Sequence, residues 1–154
     1  MMSDLRELYQ QLILDHNKNP RNFRVLDPAD RFAKGYNPLC GDKVQIYLQL
    51  HGDRIKDIGF QGSGCAISKA SASLMTETIK GKTLCETETY FKDFHAMLTD
   101  PSSNLDLDQM GKLFVFAGVR DYPTRIKCAT LSWHALRAAI DNVQTPITTE
   151  RDDT

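Results

Sequence analysis

The sequence predicts an α+β domain whose three-stranded antiparallel sheet carries helices packed on one face. Apolar and polar residues alternate in one segment of the first half of the chain, a turn follows this segment, and helical periodicity occupies most of the chain after Gly64. Since the strands precede these helices, we expect the helices to cover one face of the sheet. The 154 residues are the size of one domain. We place this domain at residues 1–145 and expect the polar residues 146–154 to form a disordered tail.

The sheet is predicted from two periodic segments and a third, shorter one. From Asp42 onward, apolar residues alternate with polar ones, which is typical of a half-buried strand. Residues 51–54 form a turn, and the next apolar residues form the partner strand of a hairpin. A short strand around residues 33–36 completes the sheet. The apolar residues of the hairpin are Val44, Ile46, Leu48, Leu50, Ile55, Ile58 and Phe60.

Five segments show the three- and four-residue spacing of apolar side chains that is typical of helices. The first covers residues 4–16 and ends before Asn19-Pro20, because a residue that precedes proline avoids helical backbone angles. The second ends at Gly81, a common residue just after a helix. The four helices after the sheet are predicted at residues 65–80, 90–98, 107–117 and 127–143.

Composition and charge exclude several classes of protein. The net charge is -1, which argues against a general nucleic-acid binder, since such proteins normally show a strongly basic face. No apolar run approaches the roughly 20 residues that a membrane-spanning helix needs, and the first residues lack the apolar stretch of a signal peptide. We therefore expect a cytoplasmic protein without nucleic-acid or membrane partners. In that reducing compartment, its four cysteines are expected to bind metal, react or fill space.

Three of these cysteines lie where a loop meets a helix or strand. Cys40 precedes the long strand, and Cys65 and Cys128 are both predicted to open helices. The positive end of a helix dipole favours the thiolate, which is the form of cysteine that binds metal or attacks sulfur. Buried cysteines often only fill space, and we accept that reading for Cys85. For the other three, the matching loop contexts favour a common site.

A carboxylate joins these three thiols in the predicted site. Asp42 follows Cys40 at two residues, and a tight loop at that spacing can turn both side chains towards one ion. Three thiolates and one carboxylate suit a tetrahedral Zn²⁺. The bound metal would leave a formal charge of about -2 from four anionic ligands and one divalent ion, which Arg125 and Lys127 could partly compensate from the shell around the ligands. No histidine is placed in this site.

Three sequence blocks resemble the IscU/NifU-N family of iron–sulfur cluster assembly proteins. They are YNPLCGD at residues 36–42, GSGCAISKASAS at residues 62–73, and RIKC at residues 125–128. Two local departures and the long segment between Cys65 and Cys128 are similar to the SufU branch of that family. Lys127 stands where IscU scaffolds have a histidine, and residues 122–125 do not match the Leu-Pro-Pro-Val-Lys segment that those scaffolds present to a chaperone.

The resemblance implies a SufE/NifU-like fold and a zinc-dependent sulfurtransferase activity. In this family picture, Cys40 receives persulfide sulfur from a PLP-dependent cysteine desulfurase of the SufS type, while Asp42, Cys65 and Cys128 hold zinc. A histidine of the docked desulfurase would replace Cys40 on the metal, and a downstream iron–sulfur scaffold would take the sulfur. Two alternatives stay open at this point. The same ligands could hold a transient iron–sulfur cluster, or the zinc site could be purely structural.

Overall fold

A mixed sheet in the order β3-β2-β1-β4 organises the fold of the computed structural model, which describes residues 2–100, 105, 107–143 and 145–149. Its strands are β1 (Arg31–Asn37), β2 (Asp42–His51), β3 (Arg54–Ser63) and β4 (Ile147–Thr148). The first three pair antiparallel, as predicted, and Asn37 and Asp42 form the pair next to the β1–β2 loop. The α+β class is therefore confirmed, with a fourth strand added to the sheet.

The fourth strand differs from the disordered tail that the sequence predicts from residue 146. Ile147 and Thr148 pair in parallel with Gly35 and Tyr36 of β1. A side chain at Gly35 would lie 3.2 Å from Cδ1 of Ile147, so the absence of a side chain there lets this strand approach. Two residues carry too little periodicity to reveal a strand in the sequence. Residues 150–154 lie outside those that the structure describes.

Five α-helices and one 3₁₀ helix complete the described elements. They are α1 (Met2–Lys18), α2 (Ala66–Ile79), α3 (Leu84–Thr99), α4 (Leu107–Met110), the 3₁₀ helix (Gly111–Val119) and α5 (Pro123–Ile140). The predicted helix 107–117 is thus divided between α4 and the 3₁₀ helix. Gly111 at the division has a φ of +54°, which lies outside the α-helical region.

Two of the helices begin earlier than predicted. Helix α3 starts at Leu84 because Thr83 and Glu86 form a capping box, in which each side chain accepts a hydrogen bond from the backbone N–H of the other residue. Helix α5 starts at Pro123 rather than near Lys127. Proline suits the first position of a helix, since its fixed φ is already helical and it has no N–H that would lack a partner.

The hydrophobic core lies between the sheet and the helices. Ile46 and Leu48 of β2 are fully buried, whereas the alternate residues of that strand remain partly or fully exposed, which confirms that the helices cover one face. Trp133 of α5 stacks on Phe94 of α3 with 4.8 Å between the ring centroids. Within the described parts of the chain, none of the helices is long and apolar enough to span a bilayer.

Candidate metal centre

Four side chains from separate elements meet at one end of the sheet. Cys40 lies in the loop between β1 and β2, and Asp42 is the first residue of β2. Cys65 immediately precedes α2, and Cys128 lies in the second turn of α5. Because β1 and β3 are both antiparallel to β2, the end of β1, the start of β2 and the end of β3 are neighbours. The sheet topology thus brings Cys65 to the adjacent Cys40 and Asp42, and α5 adds Cys128.

The distances between three of the four side chains fit a tetrahedral metal ion. Sγ of Cys128 lies 3.3 Å from Sγ of Cys40, and Sγ of Cys65 lies 3.9 Å from Oδ2 of Asp42. The ligand atoms of Cys40, Asp42 and Cys128 all lie within 4.8 Å of one another. Around a tetrahedral Zn²⁺, neighbouring sulfur and oxygen ligands are about 3.6–3.8 Å apart. The spacing of Cys40, Asp42 and Cys128 therefore fits Zn²⁺, whereas Cys65 contacts Asp42 but lies outside this set of mutually close ligand atoms.

The carboxylate of Asp42 is buried and held from both sides. Its Oδ1 accepts a hydrogen bond from the backbone N–H of Cys65 at 2.8 Å, and its Oδ2 accepts one from Nδ2 of Asn37 at 3.1 Å. Gly64 makes the approach possible, because a Cβ at this position would overlap Oδ1 of Asp42. The φ of Gly64, +138°, is also one that other residues rarely adopt. The orientation of the Asp42 carboxylate is thus fixed by the backbone N–H of Cys65 and by the side-chain amide of Asn37.

Cys65 occupies the cap position of α2, as the sequence predicts. Its sulfur accepts a hydrogen bond from the backbone N–H of Ser68 at 3.5 Å. A hydrogen bond with Cys128 and the N–H groups of the helix start lower the pKa of Cys65 to about 7, although burial opposes this shift. A substantial fraction of this cysteine is therefore thiolate near neutral pH, which is the form that binds metal.

The prediction that Cys128 opens a helix is wrong, because α5 starts five residues earlier at Pro123. Cys128 is 2% exposed, and the adjacent Cys65 sulfur, together with burial, raises its pKa. A divalent cation would have to displace the proton of Cys128, since a thiol must lose its proton to become a ligand.

Asn37 is a residue of this centre that the sequence analysis did not single out. Its side chain is fully buried, and its Nδ2 faces both Oδ2 of Asp42 at 3.1 Å and Sγ of Cys128 at 3.4 Å. An asparagine before a proline is typical of turns, so its sequence context suggested a loop residue. Only its position opposite Asp42 in the β1–β2 ladder shows its contact with two candidate ligands.

Arg125 and Lys127 line two different grooves. The guanidinium of Arg125 stands 4.8 Å from the ring centroid of Tyr122, in a groove between α1 and the 3₁₀ helix. Lys127 lines a different groove, together with His95 and His134. Compensation of the charge of the site by these two cations stays a prediction.

The remaining cysteine and the histidines lie elsewhere. Cys85 is exposed in the first turn of α3, so the prediction that it fills space in the core is wrong. His134 packs against Phe91 with 5.5 Å between ring centroids, and the buried His16 shares a hydrogen bond of 2.7 Å with Ser73. Among the described residues, the cluster of potential metal ligands consists of Cys40, Asp42 and Cys128.

Comparison with known proteins gives consistent matches over most of the chain. The family model described as NifU-like N terminal domain matches residues 8–129. The zinc-dependent sulfurtransferase SufU of Bacillus subtilis is 42% identical over 138 residues, which are 90% of this chain and 92% of that protein. The iron–sulfur cluster assembly scaffold protein IscU of Streptococcus pyogenes is 37% identical over 139 residues, which are 90% of this chain and 86% of that protein.

A crystal structure shows the same arrangement of elements. It is that of an iron–sulfur cluster assembly scaffold protein for the SUF system from Fervidobacterium islandicum, with a TM-score of 0.79 and 36% sequence identity. The match covers 84% of this chain and 93% of that one. The agreement extends to the fold as well as to the sequence.

Proposed function

Since the chain belongs to the NifU-like N-terminal domain family, we propose that it is an iron–sulfur cluster assembly protein that accepts sulfur on Cys40 in a zinc-dependent manner. The observation that carries this proposal is the unequal exposure of the four converging side chains. Cys40 is exposed, whereas Cys128 is 2% and Asp42 1% exposed. One thiol of the centre is thus accessible to a partner protein while two other donors are enclosed.

Asp42, Cys65 and Cys128 would hold the zinc ion, with Cys40 as the accessible fourth ligand. When bound, zinc favours the thiolate form of cysteine and brings no redox chemistry of its own, so it would not consume a persulfide. The buried hydrogen bonds of Asp42 would hold its carboxylate in place while Cys40 leaves and returns. A ligand set of three cysteines and one aspartate therefore supports both protection and release of one thiol.

The transfer step needs no external oxidant or reductant. The thiolate of Cys40 attacks the terminal sulfur of a cysteine persulfide on the donor protein. A new S–S bond forms on Cys40, the S–S bond of the donor breaks, and the donor cysteine leaves as a thiolate. The proton of the terminal sulfur stays with it, so Cys40 ends as a persulfide that a later acceptor can take up.

The donor that fits this chemistry is a PLP-dependent cysteine desulfurase of the SufS type, and the acceptor is a downstream iron–sulfur scaffold. The surface around Cys40 suits a protein partner, because Leu39 is 59% exposed directly beside it. An exposed large apolar side chain beside a reactive group favours docking of a protein surface over access by a small polar molecule.

The test is sulfur transfer to the zinc-loaded protein. Metal analysis should give one zinc per chain, and incubation with desulfurase and cysteine should add one sulfur atom to the peptide that contains Cys40, as read by mass spectrometry. Cys40→Ala should stay folded and take up no sulfur. Cys85→Ala is the matched control, since Cys85 is also exposed but belongs to another part of the surface. Equal sulfur uptake by Cys40→Ala and wild type would refute the proposal.

A second function is favoured by the 37% identity to an IscU scaffold. In that case the same ligands would hold a transient iron–sulfur cluster, which the aspartate would make labile. Desulfurase turnover separates the two functions. A sulfur acceptor accelerates cysteine consumption in a manner that depends on Cys40, whereas a scaffold alone leaves the turnover of the desulfurase unchanged.

A further inference from the structure

The side chain of Asn37 connects the candidate metal centre with the strand β4. Its Nδ2 donates to Oδ2 of Asp42 at 3.1 Å and faces Sγ of Cys128 at 3.4 Å. On the opposite side, its Oδ1 accepts a hydrogen bond of 3.2 Å from Oγ1 of Thr149. Since Asn37 is fully buried, these contacts take the place of hydrogen bonds to bulk water. A continuous chain of contacts therefore leads from Thr149 to two metal ligands.

The orientation of the Asn37 amide determines whether its NH₂ group or its oxygen faces the negatively charged ligands of the centre. A carboxylate and a thiolate only accept hydrogen bonds, so the NH₂ group of Asn37 has to face them. If the amide rotated by half a turn, its oxygen would face Oδ2 of Asp42, and two acceptors would be in contact. Asp42 therefore sets the orientation of the amide, and the hydroxyl of Thr149, which can donate or accept, holds the amide in place from the opposite side.

Thr149 is itself held in place by the sheet. Its backbone N–H donates to the carbonyl of Tyr36 at 3.0 Å, and the residue follows the pairing of Ile147 and Thr148 with β1. The strand that positions Thr149 therefore runs alongside the residues that lead directly into the Cys40 loop. This geometry ties the hydroxyl to the same backbone that carries Asn37.

We propose that Thr149 and Asn37 are positioning residues of the metal centre, and that Thr149 anchors the Asn37 side chain from the side opposite Asp42 and Cys128. The inference rests on the metal-binding function proposed above and adds β4 to the parts of the fold that the centre requires. Hydrogen bonds from such outer residues fix the direction of a ligand and adjust its basicity. Their loss typically lowers metal affinity by about 10–100-fold.

The experiment compares Thr149→Val, which removes only the hydroxyl, with Thr149→Ser, which restores it. Thr148→Val is the matched control, because it removes a hydroxyl from the preceding residue of the same strand segment. Two measurements are made on each protein. One is the absorption spectrum and affinity of the Co²⁺-substituted form, and the other is the hydrogen-exchange rate of the Asn37 side-chain amide in the metal-free form, measured by NMR.

Thr149→Val should bind Co²⁺ about 10-fold more weakly, at the low end of the range for outer-residue changes, with shifted d–d bands and a faster-exchanging Asn37 amide. Thr149→Ser and Thr148→Val should resemble wild type. A purely structural role of Thr149 would lower the melting temperature without moving the cobalt bands or the exchange rate of that amide, and this result would overturn the inference. So would identical behaviour of Thr149→Val and Thr148→Val.

The two proposals fail in different ways in this experiment. If wild type binds Co²⁺ with thiolate charge-transfer bands but accepts no sulfur, the sulfur-transfer function fails and the inference about Thr149 is still decided by the bands. If wild type binds no metal, the metal-binding function fails and the inference fails with it, whatever the exchange rates show. If the Asn37 amide exchanges at the same rate with and without the Thr149 hydroxyl, the inference alone fails.

Discussion

Replacing Gly64 by alanine should displace the carboxylate of Asp42 and weaken the metal centre. The added methyl group would overlap Oδ1 of Asp42 and lie 2.8 Å from its Cα, and this backbone atom cannot move aside as the end of a flexible side chain can. The φ of +138° adds backbone strain, since residues with a Cβ rarely adopt it. Alanine at this position therefore meets both a steric and a conformational penalty.

The magnitude follows from these two penalties. A residue held in a sparsely populated backbone region costs on the order of 1–3 kcal/mol, and overpacking costs about another 1–3 kcal/mol. We therefore expect the metal-free variant to lose roughly 2–6 kcal/mol of unfolding free energy. The hydrogen bond between the Cys65 N–H and Asp42, which is 2.8 Å long, would be lost as the carboxylate moves.

The assay is thermal unfolding of the metal-free protein together with metal analysis of the protein as purified. Gly81→Ala is the matched control, because Gly81 also has a positive φ, +85°, and a Cβ there would meet nothing within 4 Å. The difference between the two variants isolates the clash and should be roughly 2–12 °C in melting temperature. If Gly64→Ala has the same melting temperature as Gly81→Ala and retains its zinc, the reasoning about Asp42 is wrong.

Three further predictions concern Cys65, His16 and the metal itself. Cys65→Ser should lose the metal but keep an acceptor at the start of α2, whereas Cys65→Ala should be less stable than Cys65→Ser by about 1 kcal/mol in metal-free thermal unfolding. Burial lowers the pKa of His16 below 6.5, with help from Arg21 and against the opposing effect of Glu77. The unfolded chain then binds this proton more tightly, so stability should fall as the pH drops below about 6.5, by at most about 1.4 kcal/mol per pH unit, and His16→Gln should reduce the slope in urea unfolding. Zinc at about 100 times its dissociation constant should add about 2.7 kcal/mol to the unfolding free energy, and calorimetry with and without a chelator measures this gain.

Each of these predictions has an outcome that contradicts it. Equal stability of the two Cys65 variants would show that the sulfur does not cap α2. An unchanged pH slope in His16→Gln would assign the acid sensitivity to other groups, of which His134, whose pKa burial also lowers, is the first to examine. A melting temperature that is independent of zinc would show that the native state does not bind the ion more tightly than the unfolded chain does.

The elements with strong periodicity could be predicted from the sequence. The alternation from Val44 to Leu50 gives the central strand, and the spacing from Leu5 to His16 gives α1. The strand pattern is visible because Val44, Ile46 and Leu48 are buried on the same face of the sheet. The start of α5 was misplaced for the opposite reason. Its first turn, from Pro123, includes exposed residues, and only the proline at its first position marked the boundary.

The candidate ligands Cys40 and Asp42 could be proposed from the sequence, whereas Asn37, which contacts Asp42, could not. Aspartate alone is a common turn residue, and the cysteine two positions before Asp42 is what indicates a metal site. Asparagine has many roles in loops. Its function in this protein depends on burial at the end of a ladder and on a contact with Thr149, 112 positions away in the chain. Contacts of that kind arise from the tertiary structure and leave no local pattern.

Cys40 lies in the β1–β2 loop, where few hydrogen bonds hold it, whereas the residues at the two ends of this loop are held by the sheet. Asn37 and Asp42 close the ladder on either side of the loop, while the N–H of Cys40 makes a single backbone hydrogen bond of 3.3 Å to Asn37. Breaking one such bond costs about 1 kcal/mol, so swinging Cys40 outward would leave the sheet intact. Movement of this loop alone could thus let Cys40 accept a sulfur atom and pass it on, without any global rearrangement of the molecule.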